Sequence, residues 1–231
     1  MLNELKLDLK KLQNPGKAKI LQRFFKTGKG QYGEGDVFLG IMAPIMREVV
    51  KKYKGLSLRD VKELLNSEYN EARWIALLIL IDNFKSADEN TKLDIFNLYL
   101  ENTNRINNWN LVDISAPHII GDYLLDKDRK ILYKLAKSDN LWEKRIAIIS
   151  TFRFICENQF EDTLKIAELL MNDTHDLIHK AVGWMLRELG KRNQKKEEEF
   201  LKKHYKTMPR TMLRYAIERF DDKKRKFYMK K

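Results

Sequence analysis

The chain has one cysteine, four prolines and ten glycines in 231 residues. A lone thiol, Cys156, forms no disulfide within the chain, so a reducing cytosol is the expected setting. Glycine and proline together reach about half their usual share of roughly 12%, which leaves few residues for tight turns. Valine is also scarce, at six, against 31 leucines. That balance favours helices over sheets and disfavours barrels, sandwiches and doubly wound sheets. No apolar run approaches the roughly 18 residues of a membrane span. Met1 to Lys10 alternates leucine with charge and lacks the apolar stretch of a signal peptide. The expectation is a soluble, cytoplasmic monomer with no membrane partner.

What is abundant is positive charge, +12 overall. Residues 1–60 hold 13 basic and 6 acidic side chains, and residues 191–231 hold 16 and 6. The stretch 61–190 is mildly acidic, with 16 basic and 21 acidic. Two positive ends around an acidic middle suit a polyanion such as nucleic acid, with general solubility as the competing reading.

Leu2, Leu5, Leu9 and Leu12 follow helical spacing. Asn14-Pro15 caps and opens a second helix, whose apolar side is Ile20, Leu21, Phe24 and Phe25. Ala43-Pro44 opens another through Ile45, Val49, Val50 and Tyr53, and Ser86 with Glu89 spells a capping box before Leu93, Phe96 and Leu100. Basic-then-apolar starts recur at Arg73, Arg145, Lys180 and Arg214, separated by 72, 35 and 34 residues. The skipped step falls at Trp109. A period near 35 predicts an all-α fold, an α-solenoid of HEAT-like helix pairs with a basic concave groove, as one domain over 1–231.

Gly28-Lys29-Gly30-Gln31-Tyr32-Gly33 matches a dinucleotide fingerprint in letters only. A helix precedes it where the fingerprint needs a strand, so a flexible basic loop beside a phosphate backbone is the better reading. His175 and His179 have the spacing of a zinc pair without a third ligand, and Cys156 lies in an apolar run. No metal or cofactor is expected. Glu197-Glu198-Glu199 and Asp221-Asp222 read as solvated helix surface. Asp113 is the odd carboxylate, set in the apolar stretch Trp109 to Pro117. Trp109 and Asp113 share a helix face, as a functional pair or as an indole packed beside a capping carboxylate. Trp184 is core by default.

Four blocks appear in one order. They are Phe38-Leu39-Gly40-Ile41 with Pro44 and Arg47; Trp109 to Asp113 with Ala116-Pro117 and Gly121-Asp122-Tyr123; Leu141-Trp142 with Arg145; and Lys180-Ala181 with Gly183-Trp184 and Leu186-Arg187-Glu188. Together they resemble the AlkD-like DNA alkylation repair glycosylases, over roughly residues 14 to 220. The resemblance implies a HEAT-like solenoid that wraps duplex DNA. It also implies excision of cationic alkylated purines, such as 3-methyladenine and 7-methylguanine, without the usual flipping of the base. The family's catalytic set would correspond to Trp109, Asp113, Arg145 and Trp184. The chain departs from the family pattern at Gly28 to Gly35, a longer and more glycine-rich loop.

That chemistry suits those residue types. A cationic purine leaves without a general acid, and a carboxylate stabilises the oxocarbenium-like sugar and orients water. Indole faces hold cations, and an arginine clamps a phosphate. A non-catalytic DNA-binding solenoid and a protein-binding HEAT scaffold are the alternatives.

Overall fold

Leucine-rich sequence with few turn formers gives mostly short connections between helices, the loop of residues 25–42 apart, and the computed structural model, which describes residues 1–230, is all-α. Among the described residues there are fourteen α-helices and one isolated parallel bridge, between Val37 and Tyr69. No helix among them is long and apolar enough to cross a membrane. The chain divides into two units, Met1–Ser115 and the residues from Ala116 on.

The first unit contains α1 (Leu2–Leu12), α2 (Pro15–Phe24), α3 (Ala43–Tyr53), α4 (Leu58–Leu65), α5 (Asn70–Ser86), α6 (Glu89–Glu101) and α7, which begins at Trp109. Helix α5 is apolar all round from Trp74 to Ile81, and twelve of its residues from Asn70 to Phe84 are buried. It is the central helix of this unit, with α3, α4 and α6 packed on it. Asn14 caps α2 as expected, its Oδ1 accepting from the Lys17 amide at 3.0 Å with Pro15 in the first turn. The rotation of α2 differs from the expected one. Phe25 is buried, stacked on Phe38 at 4.9 Å, and this turns the preceding residue outward. Ile20 and Phe24 are therefore 67% and 61% exposed. Ile45 is turned out of α3 in the same way, while Val49, Val50 and Tyr53 are buried. The expected capping box is also displaced. Ser86 is the last residue of α5, and Asp88 caps α6, accepting from the Thr91 amide at 2.7 Å.

The second unit opens with a π-helical turn, Pro117–Gly121, where Pro117 lacks the amide hydrogen that an α-helical ladder needs. It continues with α8 (Lys130–Ala136), α9 (Leu141–Cys156), α10 (Glu161–Leu170), α11 (Asp176–Arg192), α12 (Gln194–His204), α13 (Arg210–Ala216) and α14 (Asp222–Met229). Here the predicted repeat is plain. Arg145, Lys180 and Arg214 lie in α9, α11 and α13, which pack in sequence, α9 on α11 and α11 on α13. Helices α8, α10 and α12 alternate with them and cover their flanks. Gly183 permits a close crossing of α11 and α13: a Cβ there would stand 2.4 Å from the Met212 carbonyl oxygen and 2.5 Å from the Tyr215 Cβ.

One acidic residue overturns its expected place. Glu197 is not solvated surface but 1% exposed, because Gly190 of α11 supplies no side chain where its carboxyl sits. Its neighbours fit the expectation better. Glu198 pairs with Lys224, Glu199 is exposed, and Asp221 caps α14, accepting from the Lys224 amide at 2.9 Å.

Candidate active site

Helix α7 (Trp109–Ala116) has two sides. Leu111, Val112, Ser115 and Ala116 are buried, whereas Trp109, Asn110, Asp113 and Ile114 are only partly covered. Trp109 and Asp113 thus stand one turn apart on the open side, as their spacing predicts. Behind Asp113, the hydroxyls of Tyr99 and Ser115 meet at 2.9 Å inside the unit. Burial, with the Asp113 charge as a lesser cause, raises the Tyr99 phenol and keeps it neutral.

A buried polar network sets where α7 begins. The Asn108 side-chain Oδ1 accepts from the Trp109 amide at 2.9 Å, and its Nδ2 donates to Asp36 Oδ2 at 2.7 Å. Asn70 Nδ2 donates to the same oxygen at 3.0 Å, and Arg73 pairs with Asp36 Oδ1. Asp36 and Arg73 are 4% and 3% exposed. Burial lowers the Arg73 pKa and the Asp36 charge opposes that shift. Arg73 Nη1 also donates to the carbonyls of Ser67 and Glu68, at 2.9 and 3.0 Å. Arg73 Nε is left without a partner, and a buried pair of this kind fixes geometry more than it adds stability. Close by, Glu71 gathers the amides of Leu39, Gly40 and Ile41 at 2.8 to 3.2 Å, fixing the end of the same loop.

The loop so anchored is the glycine-rich one. In place of the expected flexible basic segment, its turns are closed by internal bonds, such as the Gly30 amide to Glu34 Oε2 at 2.7 Å. Gly33 lies so close to α2 that a Cβ would stand 2.4 Å from the Phe25 carbonyl oxygen. That approach brings Tyr32 to Trp109, whose Nε1 donates to the Tyr32 hydroxyl at 3.3 Å. One face of the Trp109 ring is stacked on Phe25 at 5.0 Å and 26°, and Phe24 meets it edge-on at 6.0 Å. The sequence offered Phe24 and Phe25 only as the apolar side of α2 and Tyr32 only as a letter of the glycine motif, and it did not single out Asp36 or Asn108.

Arg145 and Trp184 belong to the second unit. Arg145, on α9, is 5% exposed, and its Nη1 donates to the Leu177 carbonyl in the first turn of α11 at 2.6 Å. It is a buried, oriented cation rather than a projecting one. Trp184, on α11, is partly exposed rather than core. Its Nε1 donates to Glu188 Oε1 at 3.1 Å, and its ring lies 6.5 Å from Phe152 of α9. Both tryptophans therefore have the indole N–H engaged by a protein acceptor and an aromatic neighbour beside the ring.

The two histidines have structural partners. His175 caps α11, its Nδ1 accepting from the Leu177 amide at 3.1 Å, and burial lowers its pKa. His179 Nε2 meets the Asp173 carbonyl oxygen at 2.5 Å. Among the described residues no cluster of three His, Cys, Asp or Glu could hold a metal ion.

The profile of a family described as DNA alkylation repair enzyme matches residues 5–220. Among solved structures, the chain is similar to one described as "Predicted DNA alkylation repair enzyme from Enterococcus faecalis". The TM-score is 0.70 at 17% identity, over 91% of this chain and 97% of that one. At this identity the likeness speaks for the fold alone. No curated protein matches the chain.

Proposed function

The chain belongs to the DNA alkylation repair enzyme family, and on that footing we propose that it is a glycosylase releasing cationic alkylated purines from duplex DNA. The observation that carries the reading is the open side of α7, where the Asp113 carboxylate stands one turn from the Trp109 ring. Alkylation at N3 or N7 places positive charge on the purine, so its C1′–N bond breaks without protonation of the base. The bond's electron pair leaves with the base, and the sugar becomes an oxocarbenium-like cation. Asp113 stabilises that cation and accepts a proton from the water that attacks C1′. Trp109 and Trp184, with their N–H groups engaged, contribute ring faces, each worth about 0.5–2 kcal/mol toward a cation. Arg145, at 5% exposure, enters as a fixed positive charge near the DNA backbone rather than as a side chain reaching out to clamp it.

Single-turnover excision on matched duplexes tests this. The parental protein is expected to release 7-methylguanine and 3-methyladenine but not hypoxanthine or ethenoadenine, which are neutral and have no assigned acid to protonate them. Asp113→Asn is expected to lower the 7-methylguanine rate by about 10²–10³-fold, with the helical circular dichroism and the affinity for undamaged duplex retained. Parental rates in that variant overturn the role of Asp113. Equal rates for hypoxanthine and 7-methylguanine overturn the cation mechanism. Tight duplex binding without any excision selects a non-catalytic DNA-binding protein.

A further inference from the structure

The loop between α2 and α3 is held in place more firmly than a connector requires, and the side chain it delivers meets Trp109. We propose that Tyr32 is a positioning residue for Trp109, which rests on the glycosylase reading above for its effect on excision. The indole can turn about two side-chain bonds, and three contacts restrain it. Phe25 stacks on one face at 5.0 Å, Phe24 meets it edge-on at 6.0 Å, and the Tyr32 hydroxyl takes its N–H at 3.3 Å. The first two permit the ring to slide in its own plane. The third does not, because a hydrogen bond fixes one point of the ring edge.

The hydroxyl is suited to the task. It accepts from Trp109 Nε1 and donates onward to the Phe24 carbonyl oxygen at 3.4 Å, so one group ties the indole to the end of α2. Tyr32 is itself placed by the Gly33 approach to the Phe25 carbonyl and by the Asp36 amide, which donates to the Gly33 carbonyl at 3.0 Å. Asp36 also receives the amide of Asn108, the residue whose side chain binds the Trp109 amide. Loop and tryptophan are thus fixed to one common anchor. With one face on Phe25 and the N–H on Tyr32, the ring presents its opposite face in a fixed plane to a sugar cation. Orientation of this kind is what a catalytic ring contributes beyond its area.

The test uses the full chain with Tyr32→Phe, which keeps the aromatic packing and removes only the hydroxyl. The Trp109 indole N–H resonance, identified by its loss in Trp109→Phe, is expected to shift and to exchange faster with water. Single-turnover release of 7-methylguanine is expected to fall about tenfold, between the loss of one hydrogen bond and that of a misplaced group. Affinity for undamaged duplex should be unchanged, and in a Trp109→Phe background Tyr32→Phe should cost nothing further. An unmoved indole resonance overturns the proposal, as does a moved resonance with parental excision. So does an equal loss in the Trp109→Phe background. If the parental chain excises nothing, the glycosylase reading fails by itself, and the resonance alone decides the Tyr32 contact: shifted supports it, unmoved overturns it. A destabilised Tyr32→Phe is compared with Tyr32→Leu at a temperature where both are folded. Similar indole resonances in the two support the hydroxyl as the restraint, whereas a resonance displaced only in Tyr32→Leu assigns it to ring packing and overturns the proposal.

Discussion

A carboxyl group that has lost its water without gaining a partner is a stability element tuned by pH. Glu197 is 1% exposed and its Oε1 has no hydrogen-bond partner. Burial first, and the Glu198 charge second, push its pKa up from 4.5 to about 9. The folded protein therefore holds this proton over a range in which the unfolded chain has released it. The stability this confers is fully present below about pH 4.5 and is lost as pH rises toward 9, with a limiting slope of about 1.4 kcal/mol per pH unit. Glu197→Gln keeps the shape and cannot ionise. It is expected to match the parental protein in urea midpoint at pH 4 and to exceed it at pH 8. Parallel midpoint-against-pH curves for the two proteins would show that the group is not held neutral. Nothing in the run Glu197-Glu198-Glu199 distinguishes the first glutamate from the other two. The distinction is made by Gly190, which lies on the neighbouring helix and whose absent side chain leaves the space. Asp113 was legible for the opposite reason, because its immediate neighbours are apolar and a carboxylate among them stands out. Tyr32 was not, because its partner is 77 positions away and an indole N–H leaves no trace in periodicity.

At the level of the helix, period was easier to read than rotation. Spacing placed α1, α2, α3 and α9 on the chain, yet the expected inward sides of α2 and α3 were partly wrong. Ile20, Phe24 and Ile45 face outward because the rotation is chosen by the best contact available, which for α2 is the Phe25–Phe38 stack. Helix starts raise the same difficulty, since several residues in a short stretch can cap. Ser86 with Glu89 and Asp88 with Thr91 are rival starts for α6, and the second is adopted. The Thr91 amide holds the Asp88 carboxyl below the usual aspartate range, as a cap carboxylate in its ionised form should be. Asp88→Ala is expected to lower the urea midpoint, whereas Ser86→Ala, whose hydroxyl only bonds back to the Asn83 carbonyl at 3.4 Å, should change little. Urea unfolding of both variants measures the difference. Equal losses would mean that the cap is shared, and a larger loss for Ser86→Ala would restore the capping box.

At the largest scale, the repeat predicted the order of packed helices within the second unit, α9 on α11 and α11 on α13, because each pair must bury the side that its neighbour leaves open. The gap in the repeat fell at Trp109, on α7, one of the residues on which the proposed chemistry rests. Charge distribution was legible from the start, and what it does for binding is open to direct measurement. Residues 191–231 carry 16 basic side chains against 6 acidic. Some are engaged, Lys196 with Glu161 at 2.8 Å and Lys224 with Glu198. Lys195, Lys202, Lys203 and Lys206 are exposed. An exposed lysine set against a duplex phosphate displaces a condensed counterion, so affinity for undamaged DNA is expected to fall steeply with salt. A log–log slope of about −4 or steeper corresponds to roughly five or more neutralised phosphates. Replacing these four lysines with glutamine should flatten the slope by about 1 for each one that meets a phosphate. On the proposed glycosylase reading, the variant should still release 7-methylguanine and not hypoxanthine, because that discrimination is assigned to the charge of the base and not to the contacts to the backbone. Fluorescence anisotropy with an undamaged labelled duplex across a salt series provides the slope. A parental slope near zero would remove the nucleic-acid role of the basic ends. An unchanged slope in the glutamine variant would move the contact from this segment to residues 1–60, whose 13 basic and 6 acidic side chains make them the next candidate.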